Sequence, residues 1–277
     1  MPVPIPDTRP LFRPLTADIV ASLRSLTPED WLRPTLAPAW RVRDVAAHML
    51  DTALRRLSFH RDRMPPPAPG RPIASEDDLT ALVNDLNASW VRVAGRLSPR
   101  VIADLYAAVT AQLCDFIESL PADAPPLFPV SWAGERGSEG LLDVAREFTE
   151  IWHHGAQVRE AVAAGPYPEP AWLHAVLTTA MQALPHAFRE VPAAPGDALV
   201  VEVTGASGGT WTLHREGPHW DVSPGARARA TAHATMTDDV AWRLFFNALG
   251  PQARSAVRLD GAPALTGPFL RVRSVIV

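Results

Sequence analysis

Apolar residues recur at helical spacing through most of the first 165 positions. Leu11, Leu15, Ile19, Val20, Leu23 and Leu26 predict a first helix of about 16 to 18 residues. T-P-E-D-W at 27–31 reads as a cap, a turn and a short helical piece. A second helix is expected from about 41 to 61, with Val42, Val45, Ala46, Met49, Ala53 and Leu57 on one stripe. His48 lies to one side of that stripe, flanked by Asp44 and Asp51. A third helix opens at S-E-D-D, from Ser75, and runs to about Leu97; S-P-R-V opens a fourth that runs to about Leu120. A long proline-bearing loop follows, of a length often used for function. The next helix, from about 139 to 163, carries Leu141, Val144, Phe148, Ile151, Trp152, Gly155 and Val162 on its stripe, with Glu150 and His154 at the edge.

The texture changes after G-P-Y-P-E-P at 165–170. One more helix is expected from Ala171 to about Arg189. A-L-V-V-E-V-T, G-T-W-T-L-H-R and H-W-D-V then read as short strands, with turn residues between them in A-S-G-G and E-G-P, and A-R-A-T-A-H-A-T-M alternates like another strand. D-D-V-A-W-R-L-F-F-N-A-L is an amphipathic helix, S-A-V-R-L-D-G a last strand and turn, and L-R-V-R-S-V-I-V a tail of either kind. Long helices with short or proline-rich joins describe an antiparallel bundle, here residues 1–165. Residues 166–277 read as a smaller α+β domain.

Composition narrows the classes. Hydrophobic residues make up 47% and charged residues 20% of the 277, enough for real cores. Net charge is −4, so no bulk attraction to nucleic acid is expected. The start lacks a basic segment followed by an apolar one, and no apolar run reaches the ~18 residues of a membrane span, which points to a cytoplasmic protein without membrane partners. The single cysteine, Cys114, excludes an intrachain disulfide and lies in an apolar helical pattern, where a small buried side chain is expected.

The chemistry centres on R-E-F-T-E-I-W-H-H-G-A-Q-V-R at 146–159. Glu150 and His154, four apart on a helix, sit one above the other and suit one divalent cation. Such pairs also occur as solvated ion pairs, and edge positions on two helices either converge in a seam or face water. A third ligand must come from elsewhere, with His48 the candidate; two histidines and one carboxylate leave a fourth zinc position open, as catalytic sites require. Glu147, one turn earlier, is an alternative carboxylate. His153 points about 100° away from His154 and reads as a bystander or a supporting group. His60, His174, His186, His214, His219 and His233 are scattered. Trp242, Phe245 and Phe246 read as core.

W-R-V-R-D-V-A-A-H-M-L at 40–50, followed about 100 residues later by E-F-T-E-I-W-H-H-G-A-Q-V-R, resembles the mycothiol-dependent maleylpyruvate isomerase family, one of the DinB-like four-helix metalloenzymes. L-T-P-E-D-W, T-D-D-V-A-W-R-L-F and the closing S-V-I-V agree with it. The resemblance implies a DinB-like up-down bundle followed by a sterol-carrier-like α+β domain. It implies a site of His48, Glu150 and His154 holding Zn2+ or another divalent metal, and a low-molecular-weight thiol such as mycothiol acting on a small electrophilic substrate. It also implies an arginine from the second domain, for which Arg243, Arg271 and Arg273 are the matches. The sequence departs from the family pattern at Ala39 and Arg41, and at Gln157, where the family commonly carries Asp; an amide orients a ligand histidine less strongly than a carboxylate. The expected function is thiol-dependent isomerase or S-transferase chemistry on an unsaturated carbonyl compound, with oligomeric state left open. Its rivals are a non-catalytic module binding a small molecule or partner, and a zinc hydrolase using metal-bound water.

Overall fold

The computed structural model describes residues 3–70, 72–126 and 140–274. The expected loop at 121–138 and the closing S-V-I-V fall largely outside these residues. The chain forms two compact units, one of Arg9–Pro121 with Glu150–Tyr167, the other of Met1–Thr8, Ala122–Thr149 and Pro168–Val277. One change of unit falls inside the 165–170 segment; the others make neither unit a single continuous stretch.

The first unit is helical. It holds α1 (Phe12–Ser25), α2 (Val42–Arg56), α3 (Glu76–Ala94), α4 (Pro99–Ser119) and the second part of α5 (Gly140–Ala161). The starts of α3 and α4 follow their sequence signals. Ser75 Oγ accepts from the Asp78 amide at 3.1 Å while the Asp78 carboxylate accepts from the Ser75 amide at 3.0 Å, a reciprocal box. Ser98 Oγ accepts from the Val101 amide, and Pro99 occupies the first helical position, where a missing N–H costs nothing. α2 packs on α3 and α4, and α1 on α4. The expected span of 41–61 is filled, but its last turn is a π-helix, Leu57–Arg61, closed by the Asp62 amide on Leu57 O at 2.9 Å. α5 meets α1 through Arg159, which donates to Asp18 at 3.1 Å. It also meets it at Gly155, where a Cβ would land on the Tyr167 hydroxyl and within 3.0 Å of Ile19 Cδ1.

The second unit carries a five-stranded sheet of order β3-β2-β1-β4-β5. Its strands are β1 (Ala198–Thr204), β2 (Gly209–Glu216), β3 (His219–Pro224), β4 (Ala232–Thr237) and β5 (Arg258–Gly261). β1 and β4 are parallel and all other pairs antiparallel. Leu199, Val201 and Val203 share a face with their register partners Leu213, Trp211, Ala232, Ala234 and Met236, all buried. Val200, Thr212 and His214, which alternate with these, are buried as well, so the middle of the sheet is covered on both faces. α8 (Asp238–Phe245) lies against β1 and β4, and α9 (Pro263–Phe269) against β4 and β5. Trp242, Phe245 and Phe246 are core, as the pattern predicts.

Two expectations are corrected. The helix expected from 171 to 189 is broken into α6 (Pro170–Met181) and α7 (Leu184–Ala187), because Pro185 has no N–H for the Met181 carbonyl and its ring crowds that turn. α9 was not expected, since Gly267 and Pro268 obscure its pattern; Pro263 begins it and Leu265, Thr266 and Phe269 bury its inner side.

Candidate metal centre

The centre lies wholly within the helical unit. His48 and its neighbours are set by a small turn ahead of α2. Pro34 and Arg41 form a β-bridge, Thr35 donates from both its amide and its hydroxyl to Trp40 O, and the Trp40 amide donates to Ala37 O. The Asp44 carboxylate accepts from the Arg41 amide at 3.0 Å and starts α2. One turn on, Trp90 on α3 donates its indole N–H to Ala47 O at 2.8 Å. These bonds hold the half-buried Trp40 ring 4.9 Å from the His48 ring and 6.3 Å from that of His154.

His48, Glu150 and His154 come together, their ligand atoms all within 4.8 Å of one another. Both imidazoles turn the same atom toward the same carboxylate oxygen: His48 Nε2 lies 3.5 Å and His154 Nε2 3.1 Å from Glu150 Oε1. The His48 and His154 side chains are 4% and 11% exposed, whereas that of Glu150 is 34% exposed. The cluster therefore reaches solvent at Glu150. Glu147 is buried but is not part of the group.

His153 points elsewhere, as its 100° offset predicts, and is tied back to His154 through Gln157. Gln157 Oε1 is 2.9 Å from His154 Nδ1, and Gln157 Nε2 is 3.1 Å from His153 Nε2. The spacing explains this: Gln157 is four residues after one histidine and three after the other, so it faces both. The sequence contained that signal, but the bridge became visible only in the fold.

Burial shapes the protonation of the cluster. It pushes His48 down to about 4 and His153 down to about 3, so both are neutral near pH 7. Burial works to raise Glu150, but the His154 charge and hydrogen bonds from both imidazoles hold it well below the usual carboxylate range. The same carboxylate outweighs burial at His154 and raises it.

The donor set fits a divalent cation. With Gln157 Oε1 accepting from His154 Nδ1–H, the neutral ring keeps its Nε2 lone pair, and that lone pair faces a carboxylate oxygen at 3.1 Å. Two electron-pair donors this close in a buried site repel unless a proton or a cation lies between them. Tetrahedral bonds of ~2.0–2.1 Å put neighbouring ligand atoms ~3.3 Å apart, between the two separations seen here. His48 Nδ1 is buried without a partner among the described residues.

Cys114 is buried, 3.4 Å from Thr16 Oγ1, and burial raises its thiol. Arg243 pairs with Asp239 at 3.0 Å, and Arg273 donates to Asn247 Oδ1 at 2.9 Å; Arg271 is exposed. A second group, His214, Glu216 and Asp221, meets on the β2–β3 hairpin, where His214 and Asp221 are register partners. Its carboxylates are exposed, Glu216 by 75%.

In the helical unit α2 and α5 bring two histidines and a glutamate to one point, a group that could hold a metal ion, and the other unit carries a mixed sheet. Residues 12–159 match the family model described as the mycothiol maleylpyruvate isomerase N-terminal domain, and the chain belongs to that family. Its fold is similar to the crystal structure of the mycothiol-dependent maleylpyruvate isomerase, with a TM-score of 0.54 and 14% identity over 93% of each chain. A histidine-to-alanine mutant of that isomerase matches equally well. No curated protein matches the chain by sequence.

Proposed function

We infer that this chain is a zinc- and thiol-dependent isomerase or S-transferase acting on a small, unsaturated carbonyl substrate. The observation that carries the reading is the convergence of His48 and His154, 106 positions apart in sequence, on one oxygen of Glu150. Family membership gives that convergence its chemical meaning. A dication held by these three residues supplies the charge that keeps a low-molecular-weight thiol of the mycothiol type ionised near neutral pH.

The protein's own groups have distinct tasks. Burial keeps the His48 imidazole neutral at physiological pH, so a ring nitrogen is available as a ligand. Gln157 orients His154, and Glu150 provides the negative charge. Trp40 packs beside His48 and lies near His154, adding apolar surface to that side of the cluster. The solvent-reaching edge at Glu150 is where thiol and substrate enter. A conjugated carbonyl compound suits a thiolate because the addition is reversible, which isomerisation requires. The reading places the protein in the cytoplasm, where small thiols stay reduced, and treats residues 1–165 and 166–277 as its metal-binding and accessory domains. Among the described residues no helix is long and apolar enough to cross a membrane.

Elemental analysis of the purified protein, with His48→Ala and His154→Ala beside it, tests the reading. About one zinc per chain, lost in both variants, together with thiol-dependent turnover of maleylpyruvate-like substrates, is the expected result. A folded protein that rejects added zinc overturns it and favours a binding module. Turnover without thiol that places solvent oxygen in the product points instead to a hydrolase.

A further inference from the structure

Gln157 is 5% exposed and lies between His153 at 6% and His154 at 8%. A primary amide has an end that only accepts and an end that only donates. Here each end meets a different imidazole, at 2.9 Å and 3.1 Å. The accepting end requires a hydrogen on His154 Nδ1, which leaves the lone pair on His154 Nε2, the atom 3.1 Å from Glu150. The donating end requires a lone pair on His153 Nε2, which puts that ring's hydrogen on Nδ1.

We propose that Gln157 is the positioning residue of the centre, holding the neutral rings of His154 and His153 both in the Nδ1–H tautomer so that neutral His154 offers its Nε2 lone pair to a metal. The assignment rests on the metal reading above for its purpose, but not for its geometry. It also accounts for an amide at this position. A carboxylate would accept from both rings, turning His153 to its other tautomer and placing a second negative charge beside Glu150. With the amide, Glu150 is the only anion among the five side chains, and a dication there leaves net positive charge to hold an anionic ligand. A hydrocarbon would serve neither ring.

The test uses metal-free full-length protein with 15N-labelled histidine, read by long-range 1H–15N correlation over a pH series carried up until both rings have become neutral. Zinc affinity is measured in parallel by competition with a chelating dye. Wild type is expected to show His153 and His154 both protonated on Nδ1. In Gln157→Leu, His154 is expected to move its hydrogen to Nε2 and donate to Glu150, with zinc affinity falling about 10- to 100-fold. In Gln157→Glu, His154 keeps Nδ1–H and zinc affinity is restored, while His153 changes tautomer. That split separates positioning from packing, because Glu and Leu both fill the space. An Nε2–H tautomer at His154 in wild type, or unchanged tautomer and affinity in Gln157→Leu, overturns the proposal. So does an unchanged His153 in Gln157→Glu, should the leucine variant not fold. Wild type with the expected tautomers but no zinc binding sustains the tautomer assignment and removes the metal reading alone.

Discussion

Burial of imidazoles makes the metal-free protein sensitive to acid. His48 and His153 have folded values near 4 and 3, below the ordinary value of 6.5. Between those limits the unfolded chain binds more protons, so stability falls as pH drops from about 6.5. The slope approaches about 1.4 kcal/mol per pH unit for each ring. His154 is raised, so its contribution is present below about 6.5 and is lost as pH rises through its folded value. Glu150 is depressed, and what it contributes above the ordinary carboxylate range is lost as pH falls through its folded value. Urea denaturation of chelator-treated protein should therefore show a lower midpoint at pH 5 than at pH 7, with a smaller difference in His153→Phe. Equal midpoints at the two pH values contradict this account. The residues concerned were all recognisable in the sequence, but the protonation of each depends on what encloses it, and periodicity carries no information on that.

At the scale of elements, helix starts were the most legible feature because their signals are local. Ser75 and Ser98 each satisfy an amide that its own helix leaves orphaned. Ser75→Ala should cost about 1 kcal/mol, measurable by chemical denaturation, and Ser75→Asp should restore most of it. Gly155 is a different case. Its missing side chain lets α5 approach Ile19 and Tyr167, so Gly155→Ala is expected to destabilise by about 1–3 kcal/mol despite the better helix propensity of alanine. A neutral or stabilising result would mean that the α1–α5 packing yields easily. Sequence reading placed Gly155 on the apolar stripe but did not expose why a glycine stands there, since the partner lies on another helix. The same limit explains the break before α7 and the short α9, where proline position within a turn matters more than apolar spacing.

At the scale of the molecule, His48 on α2 and the Glu150–His154 pair on α5 bring together segments about 100 residues apart, within the residues 12–159 that match the family model. A cation bound only by the folded chain must stabilise it. Zinc at one hundred times its dissociation constant should add about 2.7 kcal/mol, seen as a higher melting temperature that His48→Ala abolishes. A melting temperature indifferent to zinc would count against the centre. The sequence by itself determined most of the helical and strand segments, the capping residues and the Glu150–His154 pair, because each depends on neighbours within a few positions. It also held the order and spacing of the motifs that resemble the isomerase family. Only the tertiary structure decided that His48 faces Glu150 rather than water, that Trp40 lies beside His48 and near His154, and that Gln157 serves two rings. Helical periodicity states which residues share a face; which helix that face meets, and at what rotation, is set by packing across the whole core.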